Sequence, residues 1–159
     1  MLLFQKLNKA LHDRKAFSCG VPALDDFLRR YASQNQESGS STTHVLVDSE
    51  DPANILGFMT LSTAELDFHE LSAEDLRRFA RYPVSALRVS RLAVSLDASG
   101  KGLGSALLGF AVRQALKVRE IAGVRILLVD AKDDKVAGFY KHFGFKASMH
   151  NPLILYLVV

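Results

Sequence analysis

The sequence predicts an α/β (α+β) protein folded as a single domain over residues 1–159. Three observations carry this. Arg88 to Gly104, RVSRLAVSLDASGKGLG, passes from an apolar, β-branched run through a glycine-rich break into a helical pattern. Arg125 to Ala131, RILLVDA, is a near-continuous apolar run of the kind that forms strands buried on both faces. His44 to Val47 and Ile55 to Thr63 are strand-like and flank a turn with Pro52, which predicts a hairpin.

The elements follow in order. Residues 2–7 predict a short strand, and a helix begins at Pro22, a favoured first-turn residue. Leu24, Phe27, Leu28, Tyr31 and Ala32 repeat at the spacing of one buried helix face, with Arg29 and Arg30 off it. Ser33 to Thr43 is polar and rich in Gly and Ser, a predicted loop. After the hairpin, Ser72 to Asp75 reads as a capping box for a short helix to about Ala80, closed by Pro83. Leu87 to Val94 is the strand that enters the glycine turn. The long helix carries Leu103, Leu107, Ala111, Ala115 and Val118 on one side and stops near Gly123. Lys135 to His142 predicts a short helix capped by Gly144, and the last strands are Phe145–Ala147 and Leu153–Val159.

Composition bounds the function. The chain is 48% hydrophobic and 23% charged, ordinary for a globular protein. No apolar run approaches the ~18–20 residues of a membrane span. In the opening MLLFQKLNKALHDR the charges follow the apolar start, the wrong order for a secretory signal. The single cysteine, Cys19, excludes an internal disulfide framework and suits a reducing cytoplasm. The five histidines are scattered, so no metal site is expected. Net charge is a mild +3, but residues 65–75 hold five acids without a Lys or Arg. The stretch that follows, up to Asp97, holds Arg77, Arg78, Arg81, Arg88 and Arg91 without an acid. Such a block could grip the phosphates of a polyanion, or be a solvated helix end.

Strand, glycine turn and helix together can hold a phosphate. Glycine permits positive φ and close approach, and the N–H groups at a helix start carry the positive end of its dipole. Two familiar patterns fail. Lys101 is followed by Gly102 rather than Ser or Thr, and a dinucleotide fingerprint would need glycine where Ser105 stands. Alone, the turn reads equally as a phosphate cradle or as a plain strand-to-helix connection.

The segment resembles the acetyl-CoA signature of GCN5-related N-acetyltransferases, Q/R-x-x-G-x-G/A, with Gly102 and Gly104 as its glycines and Ser99 at the Q/R position. Phe139 to Phe145, FYKHFGF, resembles the same family's F-Y-x-x-x-G-F segment. The resemblance implies the GNAT fold, with a mixed, mostly antiparallel central sheet flanked by helices. It implies acetyl-CoA as cofactor, contacted by Leu92, Ala93, Val94, Ser99, Gly100, Lys101, Gly102, Leu103, Gly104, Ser105 and Tyr140. Tyr140 is implied as the catalytic acid that protonates the departing thiolate; the competing reading is a packed aromatic whose hydroxyl finds any partner.

Phe17 to Leu28, FSCGVPALDDFL, is similar to the opening of one subgroup, F-x-C-G-x-x-x-L-D-x-F-L. Gln34-Asn35-Gln36, the Gly57–Ser62 strand and Arg91–Val94 extend the likeness. The subgroup consists of toxins of bacterial toxin–antitoxin pairs. Membership implies aminoacyl-tRNA as acceptor, translation arrest, and a ribbon-helix-helix antitoxin as partner; a homodimer is left open. Arg29, Arg30, Arg77, Arg78, Arg81 and Arg91 are the candidate tRNA contacts.

No side chain stands out as a general base. Glu65, Asp67, His69 and Glu70 read as an exposed acidic loop. This suits an α-amine acceptor, whose pKa of about 7.7–8.0 an adjacent ester lowers, better than a lysine near ~10.4. Cys19 lacks a His/Asp pair and reads as a small hydrophobe rather than a nucleophile, and His142 reads as a surface residue. Competing readings are acetylation of a small-molecule or protein amine, and a catalytically silent CoA-binding regulatory module.

Overall fold

The computed structural model describes residues 1–159. Its elements are β1 (Leu2–Lys6), α1 (Pro22–Asp26), a π turn (Phe27–Tyr31), α2 (Ala32–Glu37), β2 (Thr42–Asp48), β3 (Gly57–Leu66), α3 (Ala73–Leu76), β4 (Val84–Val94), α4 (Leu103–Ile121), β5 (Ile126–Asp130), α5 (Asp134–His142), β6 (Lys146–Ala147) and β7 (Ile154–Val158). The seven strands are ordered β1-β2-β3-β4-β5-β7-β6. β4 and β5 run parallel, while β1–β2, β2–β3, β5–β7 and β6–β7 are antiparallel. This is the mostly antiparallel sheet that the sequence predicts. No helix is long and apolar enough to cross a membrane.

The chain divides into two compact units, Met1–Ser62 with Ser90–Phe110, and Thr63–Val89 with Ala111–Val159. In the first, Leu7, Phe17, Phe27, Leu28, Val45, Val47, Phe58 and Ala93 form one apolar cluster. Phe17 meets Phe58 edge-on at 5.4 Å, and Phe4 stacks on Phe110 at 4.3 Å. In the second, Leu66, Leu71, Phe79, Val84, Ala86, Ile126, Leu128 and Tyr156 cluster.

Several motif residues acquire physical reasons. The Asp25 carboxylate accepts the Cys19 N–H at 2.9 Å, and Gly20 turns the chain between them at φ +85°. The Gln36 amide donates to Leu7 O at 2.9 Å and accepts from Thr43 N at 3.0 Å, tying α2 to β1 and β2 at once. The Thr43 and Thr60 hydroxyls, both buried, share a 2.8 Å hydrogen bond. Gly57 has no room for a side chain, since a Cβ there would meet Ala93 O and Leu107 Cδ1, each at 3.0 Å.

Three expectations need correction. The predicted loop Ser33–Thr43 instead continues the helix to Glu37, and β2 starts at Thr42. The Gln36 clamp orders what a polar composition suggested was unstructured. Tyr31 is 52% exposed rather than on the buried face. The cause is the π turn, closed by Ala32 N–H on Phe27 O five residues back. Its extra residue breaks the 3.6-residue register, so Phe27, Leu28 and Ala32 stay buried while Tyr31 swings out. The acidic loop is not wholly exposed either: Glu70 is only 18% exposed and accepts the His150 N–H at 2.8 Å.

Candidate active site

Strand β4 positions the first candidate residues. Its ladder with β5 ends at the Val89–Val129 pair, and Ser90–Val94 continue past it. Ala93 is buried, with Leu92 and Val94 half-buried beside it. The chain is then pinned on both sides, as Ser95 N–H donates to Leu56 O and Leu96 N–H to Ser18 O. The Leu96 side chain packs at Gly20.

Next comes the turn. A short 3₁₀ turn, Leu96–Ala98, is closed when the Ser99 hydroxyl donates to Leu96 O at 2.9 Å. Ser99 therefore spends its side chain on the turn itself. Gly100 and Gly102 take φ +78° and +74°, conformations that disfavour any side chain, and nothing approaches within 4 Å of where their Cβ atoms would be. Leu103 and Gly104 are the first residues of α4. The N–H groups of Gly100 through Ser105 make no backbone hydrogen bond, and the first return bond of the helix is Ala106 N–H to Gly102 O. A run of unengaged N–H groups on an open turn at the start of a 19-residue helix is suited to an anion.

Beside the turn lies an open depression of about 640 Å³, lined by Leu2, Asp48, Glu50, Asp51, Leu56, Lys101 and Leu103 among others. Its carboxylates make it a poor seat for phosphate, and the backbone donors of the turn suit an anion better.

Tyr140 belongs to the second unit. It sits on α5, whose N-terminus is capped by the Asp133 carboxylate on Val136 N–H at 2.9 Å. Gly144 at φ +93° ends the helix. The Tyr140 ring is 3% exposed and packs against Phe139 at 5.4 Å and Phe145 at 5.6 Å. Burial, and then the Asp130 carboxylate, push the pKa of its hydroxyl up to about 12. Asp130 is held in place by Arg88, Nη2 to Oδ2 at 2.6 Å and Nε to Oδ2 at 2.8 Å.

The six candidate arginines differ in what holds them. Arg91 lies over the Phe27 ring, 3.7 Å from its centroid. Arg29 pairs with Asp26 at 3.3 Å, and Arg78 reaches Asp75 at 3.6 Å. Arg30, Arg77 and Arg81 are exposed and enter no ion pair. Arg29, Arg30 and Arg91 belong to the first unit, Arg77, Arg78 and Arg81 to the second.

Other titratable groups are unsuited to the chemistry. Burial first, then Asp25, push the Cys19 thiol up to about 11, so it is no nucleophile at neutral pH. Glu65, Asp67 and His69 are exposed, and no cluster of three or more His, Cys, Asp or Glu could hold a metal. The sequence did not reveal that Asp75 is buried.

The acetyltransferase (GNAT) domain family matches residues 40–147. The chain belongs to the GNAT acetyltransferase family. It is 35% identical over 147 residues to the tRNA-acetylating toxin of Mycobacterium tuberculosis, covering 92% of this chain and 86% of that protein. Among solved structures, AtaT complexed with acetyl-methionyl-tRNAfMet is similar with a TM-score of 0.92 at 23% identity, over 99% of this chain and 95% of that one. AtaTR bound with AcCoA is similar with a TM-score of 0.85 at 24% identity, over 99% and 93% of the two chains. These structures share the fold. As a GNAT acetyltransferase this chain is an N-acetyltransferase with acetyl-CoA as acyl donor.

Proposed function

We propose that this chain is a toxin, a single N-acetyltransferase domain over residues 1–159 that acetylates the α-amine of aminoacyl-tRNA and so blocks translation. The observation that carries this is the 35% identity to the Mycobacterium tuberculosis tRNA-acetylating toxin, over 92% of the chain.

Bound acetyl-CoA supplies an activated acetyl thioester. The N–H groups from Gly100 to Ser105 would hold its phosphates, with Ser99 closing the preceding turn and Gly100 and Gly102 bending the chain. Leu92, Ala93 and Val94 would line the acyl end, where strand N–H groups can polarise a carbonyl oxygen. Tyr140 would hold a proton at its phenolic oxygen for the leaving sulfur. With a pKa raised to about 12, the hydroxyl stays protonated at neutral pH. The acceptor amine needs no dedicated base, since an α-amine next to an ester is largely neutral near pH 7.

Arg77 and Arg81, exposed and unpaired, are the best placed of the second unit's arginines to meet phosphates, and Arg29 and Arg30 of the first unit's. A ribbon-helix-helix antitoxin would neutralise the enzyme, and the site of action would be the cytoplasm. The test is purified protein, radiolabelled acetyl-CoA and total charged tRNA, with deacylated tRNA as control. Label in the charged pool alone supports the reading. Label in neither pool, with brisk acetylation of a small amine or a protein lysine, overturns it.

A further inference from the structure

The π turn Phe27–Tyr31 is an irregular feature in a helical segment that ordinary α geometry would otherwise carry through. Turns of this kind are rare and gather at functional sites. Here it exchanges a buried position for an exposed one: Tyr31 is 52% exposed, on a segment whose apolar spacing would have buried it. The turn also presents a charge pattern. Arg29 and Arg30 precede Tyr31 on the exposed side, and the Arg14 guanidinium donates to Arg29 O at 3.2 Å. Lys15 is exposed as well, and both acids of α1 are already engaged, Asp26 by Arg29 at 3.3 Å and Asp25 by the Cys19 N–H at 2.9 Å.

Within the same unit, this turn is tied to the acyl strand. Phe27, its first residue, lies under the Arg91 guanidinium at 3.7 Å, and Arg91 immediately precedes Leu92–Val94 on β4. The segment before it is fastened to the following turn by Leu96 N–H on Ser18 O at 2.9 Å. Four residues after Phe27, Tyr31 is an exposed aromatic ring with Arg29 and Arg30 before it in sequence.

We propose that Tyr31 is a stacking platform for an unpaired base at the single-stranded acceptor end of the RNA substrate. The proposal rests on the aminoacyl-tRNA reading above. Nucleic acid fits better than an acidic peptide because an exposed ring with exposed arginines beside it in sequence can engage both things a single strand presents, a π face and a phosphate. The acceptor end is also the part of a charged tRNA that must reach the acetyl group.

The test compares Tyr31→Ala, Tyr31→Phe and Tyr31→Trp. Tyr31→Ala should raise the KM for aminoacyl-tRNA about 10–100-fold, the scale of one lost base–aromatic stack. It should leave acetyl-CoA affinity, and acetylation of a small aminoacyl ester lacking RNA, unchanged. Tyr31→Phe should restore the tRNA KM. The chain has no tryptophan, so Tyr31→Trp introduces a lone indole whose fluorescence charged tRNA should quench saturably. A blunt RNA duplex without a single-stranded end should not quench it. Wild type that acetylates tRNA, together with a Tyr31→Ala variant of normal KM, would overturn the platform. Quenching by an acidic peptide but not by tRNA would overturn it too. If wild type transfers no acetyl to charged tRNA, the parent reading fails first and takes this one with it.

Discussion

The Tyr156 hydroxyl donates a 2.6 Å hydrogen bond to the Asp75 carboxylate, joining residues 81 positions apart. Asp75 has no exposed surface, yet its Oδ2 also accepts from the Ser72 hydroxyl and the Lys146 ammonium, each at 3.0 Å. Burial alone would raise its pKa. The Tyr156, Lys146 and Ser72 donors more than reverse that, and hold it below the ordinary carboxylate value.

Tyr156→Phe should therefore cost about 1–3 kcal/mol, because a buried acceptor loses its shortest donor while the ring remains. Urea unfolding would read this as a lower midpoint at unchanged slope. The pH dependence has a definite sign. A carboxylate with a depressed folded pKa contributes stability above its unfolded value, about 3.9, and loses it as pH falls through the folded value. Wild type should lose stability below about pH 4, and Asp75→Asn should flatten that acid limb while lowering stability at neutral pH.

Tyr140→Phe keeps the packed ring and removes only the phenolic proton. Turnover should fall about 10²–10⁴-fold with acetyl-CoA affinity nearly unchanged, as steady-state kinetics and calorimetry would show. Since the wild-type hydroxyl is raised to about 12, its protonated form persists until near that pH. The kcat profile between about pH 6 and 9 should accordingly show no loss from Tyr140 on its alkaline side. A normal rate in Tyr140→Phe would reduce the residue to packing.

Gly104→Glu should abolish acetyl-CoA binding, by placing bulk and negative charge in the first turn of α4. Gly102→Ala should weaken it through the backbone, because φ +74° is disfavoured for alanine. Both effects are read by calorimetric titration beside a melting curve that confirms folding. Unchanged affinity in Gly104→Glu would place the cofactor elsewhere.

Arg77→Gln with Arg81→Gln should weaken tRNA binding across all charged species and reduce the slope of log K against log salt by about 2. Arg78 is best left intact in this test, because it lies 3.6 Å from the buried Asp75 and its loss would confound binding with stability.

Most of the fold was legible because strong local signals agree with the final packing. The apolar run at 126–130, the glycine stops at 123 and 144, and the amphipathic long helix all fall where expected. The misses arose where tertiary contacts outweigh composition. Gln36 orders residues that look like a loop, and a single π turn overturns the periodicity argument for Tyr31. Asp75 was read as one more acid in a charged run, since nothing local announces that Tyr156 and Lys146 will close over it. The glycine turn was legible as a shape, but not the division of labour within it. Gly100 and Gly102 carry the positive φ, Gly104 lies in the helix, and Ser99 closes the turn.

The unengaged N–H groups from Gly100 to Ser105 have an evolutionary consequence. Every residue type except proline carries a main-chain N–H, so no ordinary side-chain replacement deletes a donor from such a cradle. Only changes that bend the chain, or fill the space above it, can disable it. On the proposed reading, donor binding is thereby buffered against drift. The proposed acceptor contacts, exposed side chains such as Arg30, Tyr31, Arg77 and Arg81, have no such protection, so on that reading acceptor preference is the property that a few substitutions can retune.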